Sequence, residues 1–314
     1  MQIRQVPKPA QPPDHLFVPL TRSSSDAEAI VRPKLSIWRQ SWIRLYSNKL
    51  ALLGFIIIIF LCLFATLGTL VTEHGYADQD LLSANQKPSS LHWFGTDDLG
   101  RDVFARTIFG AQISLSVGLI AAFIDFAIGV LYGGIAGYFG GRIDNVMMRF
   151  VDILYGIPYL LIVILLMVVM GPGLLTIIIA LTATGWIGMA RIVRGQVLQL
   201  KSSEYVLAAK ALGAGSMNII RRHLLPNALG VIIVQVTFSV PSAIFAEAFL
   251  SFLGLGIAAP LASWGTMAND GMSTILSGYW WRLFFPAFFI SLTMLAFNLL
   301  GDGLNQIFDP KQRR

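Results

Sequence analysis

Leu50-Ala51-Leu52-Leu53-Gly54-Phe55-Ile56-Ile57-Ile58-Ile59-Phe60-Leu61-Cys62-Leu63-Phe64-Ala65-Thr66-Leu67-Gly68-Thr69-Leu70-Val71 runs for 22 residues without a charge. At 1.5 Å per residue this is roughly 33 Å of helix, enough to cross the hydrocarbon core of a bilayer. A cleaved signal peptide would occupy roughly the first 15–30 residues with a shorter apolar core, so this segment is expected to be retained. Further apolar runs at 113–138, 147–170, 174–192, 229–253 and 283–300 predict six spans in all. Composition agrees. Of 314 residues, 55% are hydrophobic and 13% charged, with a mean hydropathy of +0.67, where a soluble domain carries about a quarter charged residues. An ordinary soluble enzyme is excluded, and the fold class is an all-α polytopic membrane protein. Cys62 is the single cysteine, so neither an intrachain disulfide nor a cysteine metal site is available.

In a soluble chain a net charge of +6 and a pI of 9.6 would suggest nucleic acid. Here the charge sorts by side. With a cytoplasmic N-terminus, the cytoplasmic segments hold 8 Lys and Arg in the tail, 2 at Arg142 and Arg149, 6 at Arg191, Arg194, Lys201, Lys210, Arg221 and Arg222, and 3 at the C-terminus, or 19 in all. The external side holds 4: Lys87, Arg101, Arg106 and Arg282. That bias orients both termini to the cytoplasm of a multi-pass chain and accounts for the basic pI with no nucleic acid partner. Residues 1–36, rich in proline and serine, read as a disordered cytoplasmic tail. Residues 37–49 mix Trp38, Trp42 and Tyr46 with Arg39 and Arg44, the composition of an interfacial helix against membrane lipid or of a plain juxtamembrane belt. The membrane domain is expected over 50–308, followed by a short cytoplasmic C-terminal tail at 309–314.

Two connections are far longer than a hairpin between packed helices needs. The external loop, 72–112, contains Asp97, Asp98, Arg101, Asp102 and Arg106, with Gly95 and Gly100 breaking the chain; Thr96 or Asp97 can cap a helix lying on the outer leaflet, on whose stripe Val103, Phe104, Thr107 and Ile108 fall. It reads either as a structural lid that starts span two or as a contact for an external partner. The cytoplasmic loop, 193–228, predicts a helix from Glu204 to Leu212, a corner at Gly213 and Gly215, and a second helix capped by Ser216 that ends before Pro226. Its small residues permit close approach of another protein, with Glu204, Lys210, Arg221 and Arg222 available to fix register. An interfacial helix pair without a partner is the other reading.

Charges inside spans are costly, and Asp125 and Glu247 lie well within apolar runs, with Asp152 nearer the cytoplasmic end of span three. They are candidates for the pore or for the seam with a second subunit, with helix-locking bonds as the competing role; Glu247 in particular is expected to face the cavity or the seam. Gly129, Gly133 and Gly137 form one small face that predicts close helix packing, and Pro158, Pro241 and Pro286 predict kinks in spans three, five and six. The four histidines are scattered, so no metal site and no catalytic residue is assigned. No Gly-Lys pair occurs anywhere in the chain, so it holds no phosphate-binding loop for ATP.

The string Leu207-Ala208-Ala209-x-x-x-Gly213, followed after nine residues by His223-x-Leu225-Pro226, resembles the E-A-A-x3-G-x9-I-x-L-P signature of ABC-importer inner-membrane permease subunits. Leu207 stands at its Glu position and His223 at its Ile position. Glu204-Tyr205 through Arg222-His223-Leu224-Leu225-Pro226-Asn227 resembles the oligopeptide/dipeptide (OppC/DppC-like) branch, as do 94–102, 250–256, 298–304 and Asp309-Pro310. The resemblance covers roughly 35–314 and implies a type I, MetI-like fold with the helix at Glu204 as coupling helix. The residues it assigns to ATPase coupling are Glu204, Tyr205, Ala208, Ala209, Lys210, Gly213, Arg221, Arg222, His223 and Pro226. It implies no cofactor in this chain. ATP and Mg would bind two cytoplasmic ATPase subunits, a homologous second permease would complete a heterodimeric pore, and an extracytoplasmic peptide-binding protein would deliver oligopeptides or dipeptides across a bacterial cytoplasmic membrane. Another cargo on the same scaffold, such as a nickel chelate or a glutathione-like molecule, is the alternative. A secondary transporter or membrane enzyme would need inverted repeats, several mid-span ionisable residues or a catalytic constellation, none of which is found in the sequence.

Overall fold

A computed structural model describes residues 45–308, whose regular structure is helical apart from one isolated bridge between Thr96 and Asp102, with irregular connections over 71–102, 253–263 and 273–280. The expectations for 1–36, for most of 37–49 and for 309–314 lie outside the described residues. Helix α1 (Lys49–Leu67) begins where the Asn48 side chain accepts from the Leu50 and Ala51 N–H groups, satisfying donors that a helix start leaves without partners. Next come α2 (Val103–Phe139), α3 (Gly141–Gly156), α4 (Tyr159–Met170) and α5 (Leu174–Leu200). The short α6 (Glu204–Ala211) and α7 (Ser216–Ile219) lead through a π turn at Ile220–Leu224 into α8 (Leu225–Phe252). The short α9 (Trp264–Met272) and the long α10 (Trp281–Phe308) close the chain.

Five helical stretches are long and apolar enough to span a membrane, and six if α3 and α4 are one broken span. The run at 147–170 is therefore not one straight helix. It bends by 78° between α3 and α4, where Pro158 lacks the N–H that would continue the α3 ladder and disfavours helical geometry at Ile157. Pro241 and Pro286 lie inside α8 and α10. The start of α1 and the end of α10 lie together, where the Asn48 amide donates to Gln306 Oε1 across 3.0 Å.

Several boundaries differ from those read in the sequence. Span two begins at Val103, so the stripe at Val103, Phe104, Thr107 and Ile108 opens the span itself rather than lying on the outer leaflet. The cap is Asp102, whose Oδ1 accepts from Ala105 N at 2.7 Å, in place of Thr96 or Asp97. Span four continues to Leu200 past Arg191 and Arg194, because both guanidiniums are neutralised by carboxylates of α3: Asp152 at 2.9 Å and Asp144 at 2.5 and 2.6 Å.

Packing is tightest between α2 and α5. Gly129, Gly133 and Gly137 present bare backbone there, and a Cβ at Gly133 would collide with the Ala190 carbonyl oxygen. Small faces of this kind let helix axes approach where the apolar solvent gives no hydrophobic drive. A second cluster joins α1, α2, α8, α9 and α10 through Leu61, Ala111, Ile244, Trp264 and Phe289.

Candidate coupling surface and translocation path

The segment after α5 is built from local signals. Glu204 stands in the first turn of α6 and Lys210 in the last, both favourable to the helix dipole. The helix ends in a Schellman motif, with Gly213 N–H bonding to Lys210 O and Ala214 N–H to Ala209 O, at 3.0 and 3.1 Å. Gly213 has φ +82° with open space where a side chain would stand; glycine alone takes this geometry without strain. Gly215, rather than Ser216, occupies the cap of α7. The second short helix does not end before Pro226. Leu225 N–H reaches back five residues to Ile220 O, and the widened turn puts Pro226 in the first turn of α8, where a missing N–H costs nothing.

This segment shows an uneven distribution of burial. Val206 is the buried residue of α6, clustering with Ile219, Ile220 and Leu224 against Val193 and Val197 of α5 and Ala228 of α8. Tyr205, Leu207 and Leu212 are 41, 54 and 89% exposed. Glu204, Ala208, Lys210, Arg221, Arg222 and Pro226 are also exposed, while Ala209 and His223 are half-buried. Among the described residues Glu204, Lys210, Arg221 and Arg222 enter no ion pair. Lys201, just before α6, donates to Gly137 O at 3.1 Å and ties the segment to the end of α2.

The three acidic residues read as pore or seam candidates are placed differently from one another. Asp152, with its side chain 59% exposed, pairs with Arg191, whose guanidinium lies 4.5 Å from the centre of the Tyr155 ring. Asp125 is buried against Gly185 of α5, and its Oδ1 has no hydrogen-bond partner among the described residues. Glu247 is the most deeply buried of the three. It is 0% exposed, enclosed by its own chain, and accepts from Ser251 at 2.8 Å and Ser263 at 2.6 Å. Ser263 caps α9, and Trp264 N–H donates to Ser114 Oγ of α2. Glu247 therefore joins α8 to α9 beside the α2 contact through Oε1, while its buried Oε2 has no hydrogen-bond partner among the described residues.

The opposite end of the bundle is closed by charge. Asp97 accepts from Leu99 and Arg101 N–H through Oδ1, while its Oδ2 meets Arg101 Nε at 2.7 Å and Arg106 Nε at 3.4 Å. Arg282, at the start of α10, donates to Asp98 and Asn85. Burial pushes the Asp270 carboxyl of α9 above its usual range against the opposing pull of Arg106. Trp264 and Trp281, both fully buried, donate their indole N–H groups to Thr107 O and Thr96 O. Of the residues singled out in the external loop, Asp97 and Arg101 pair with each other and Asp102 caps α2. The sequence reading used Arg191, Arg194 and Arg282 only as side markers and missed their pairings; the signal was a basic residue at the edge of an apolar run with an acidic residue at the edge of another. His74 and His92, far apart in sequence, stack with ring centres 4.8 Å apart, a proximity that only the folded loop reveals.

Residues 129–314 match the family described as binding-protein-dependent transport system inner membrane component, and 36–88 match the N-terminal transmembrane domain of oligopeptide transport permease C. The dipeptide transport system permease protein of Bacillus subtilis is 63% identical, over 99% of this chain and 97% of its own. The oligopeptide transport system permease protein of the same organism is 55% identical over 96 and 99%, and that of Escherichia coli 42% over 88 and 92%. Among solved structures, an inward-facing MetNI methionine ABC transporter chain superposes with a TM-score of 0.53 at 20% identity, covering 64% of this chain and 94% of that one; this likeness establishes the MetI-like helical fold.

Proposed function

The chain belongs to the inner-membrane component family of binding-protein-dependent transport systems, and from that membership we propose that it is a permease subunit of an ATP-driven importer of oligopeptides or dipeptides. The strong identity to dipeptide and oligopeptide permeases over nearly the whole chain favours peptide cargo over a nickel chelate or a glutathione-like solute. The observation that carries the coupling role is the outward face of α6, where Tyr205, Leu207 and Leu212 lie exposed beside unpaired Glu204 and Lys210 on a helix held by Val206. Two cytoplasmic ATPase subunits bind ATP and Mg, and one of them receives this face. The end carrying α6 and both termini is cytoplasmic; the end closed by Asp97 and Arg282 faces the extracytoplasmic peptide-binding protein.

Closure of the ATPase pair displaces α6. Because Val206 belongs to the buried cluster that also holds Ile219, Ile220 and Leu224 with Val193, Val197 and Ala228, the displacement passes through α7 and the π turn to α8 and α5, and through the glycine face to α2. Access to the path then alternates between the two sides as packed units move as rigid bodies. A charge facing acyl chains costs about 2.5 kcal/mol or more, so the exposed Asp152–Arg191 pair belongs on the path or on the seam with the homologous second permease. Cysteine cross-linking tests the assignment. In a Cys62→Ser background within the assembled importer, Ala208→Cys should cross-link to an ATPase subunit in a nucleotide-dependent manner. No cross-link from any position between 204 and 212 overturns the coupling surface.

A further inference from the structure

The geometry points to a divalent transition-metal site in the loop between α1 and α2, formed by His74, His92 and Asp102. Each residue offers one donor atom, and the three atoms lie within 4.8 Å of one another. The His74 and His92 rings are stacked at 30°, and His92 Nδ1 stands 2.8 Å from Asp102 Oδ2. The carboxylate is fixed in place, since Oδ1 caps α2 and leaves Oδ2 turned to the imidazoles. Backbone bonds hold the histidines as well: His74 N–H donates to Thr72 Oγ1, His92 N–H donates to Ser89 Oγ, and Gly95 N–H donates to His92 O. His92 and Asp102 are buried and His74 half-buried. His74 and Asp102 line a cavity of about 210 Å³ that Glu73 also lines.

Two imidazole nitrogens with one carboxylate oxygen suit zinc, nickel or copper better than calcium or magnesium, which prefer all-oxygen shells. Three protein donors beside a cavity leave a position for water or for the Glu73 carboxylate, as in open zinc sites. The spacing of 74, 92 and 102 matches no short metal motif, so the site exists only in the folded loop. A cation there ties the segment after span one, the middle of the loop and the start of span two to a single point.

The test uses the full chain without a polyhistidine tag, in lipid nanodiscs, stripped with chelator and titrated with Zn²⁺ and, for its visible spectrum, Co²⁺. One equivalent should bind at micromolar concentration or below, with the d–d bands of low-coordinate Co²⁺ and a raised melting temperature. His74→Phe keeps the ring stack and removes a donor; it should weaken binding by about tenfold or more, the scale seen when metal sites are altered, while leaving the metal-free melting temperature unchanged. His223→Ala, at the far end of the bundle, should bind as the wild type does. No binding to the wild-type chain below 100 µM overturns the site without recourse to any variant. Equal affinity in His74→Phe, or loss in His223→Ala instead, also overturns it.

Discussion

At the end carrying residues 71–102, a set of charged and aromatic side chains turns inward: Asp97 satisfies two arginines and two backbone N–H groups, Arg282 clamps Asp98 and Asn85, and the buried Trp281 and Trp264 donate to the carbonyls of Thr96 in the loop and Thr107 in the first turns of α2. At the end carrying 201–224 the same residue types turn outward, and the segment holds to its own chain by Val206, Ile219, Ile220 and Leu224. Both segments are loops of similar length between apolar spans, so length and polarity do not distinguish them. The difference lies in where the bonding capacity is spent. The external loop satisfies the charges of its clasp within the chain, although Leu81, Leu82, Leu91 and Trp93 around that clasp stay exposed, whereas the cytoplasmic segment leaves Glu204, Lys210, Arg221 and Arg222 outside any ion pair among the described residues and sets them beside exposed Tyr205, Leu207 and Leu212, a surface suited to another protein.

If this contrast holds, damage at the first end should appear as lost stability and damage at the second as lost assembly. The largest effect is expected for Asp97→Ala, which strands buried Arg106 and exposes two N–H groups; breaking a buried pair costs about 3–5 kcal/mol, and thermal unfolding in detergent should show a correspondingly large drop. Between the two ends, Gly133→Leu drives α2 from α5, and overpacking of this kind costs about 1–3 kcal/mol; retention of both wild-type stability and wild-type uptake would break the rigid link between the ends. Gly213→Leu should lose about 1–2 kcal/mol from the left-handed backbone alone, since no neighbour obstructs its side chain. Its larger consequence is functional: uptake and stimulation of the ATPases should fall sharply in a chain that still inserts. The smallest effect on stability belongs to Leu212→Ser, within about 0.5 kcal/mol as for exposed substitutions generally, yet copurification with the ATPases should weaken. A stable Asp97→Ala chain together with an unstable Leu212→Ser chain would reverse the comparison. The sidedness itself is read by alkaline-phosphatase fusions, active after Ser90 and inactive after Lys201.

The spans were legible because each apolar run, even those holding Asp125, Asp152 or Glu247, is long enough to be read from composition alone. Their limits were not, for reasons visible at particular residues. Arg191 and Arg194 mark the end of span four in the sequence, but paired with Asp152 and Asp144 they no longer stop the helix. Asp102 caps α2 well before the apolar run begins, since Val103 buries with Met267 and Trp281 and Ile108 lies against Gly68, burial that the sequence does not reveal. Pro158 announced a kink without its size, and Pro226 concealed a π turn that spares the helix. Within the site, the exposed face of α6 followed from its small residues and flanking glycines. Glu247 did not: an acidic residue in an apolar run must find a partner, but the sequence does not reveal that the partners are Ser251 and Ser263 of the same chain.

The unbroken length of α2 has a mechanical consequence. Its 37 residues form a rod of about 55 Å at 1.5 Å per residue, well beyond the thickness of the apolar layer it crosses. One tip carries Asp102, bonded to His92; near the other, Gly137 receives Lys201 beside α6. Pivoted near either tip, a tilt of about 5° sweeps the far tip through about 5 Å, given that length. A displacement of a few ångströms on one side of the membrane is thereby available on the other without any residue between them changing its hydrogen bonds, and the strength of the clasp at Asp102 sets how much of that sweep the loop resists and how much it follows.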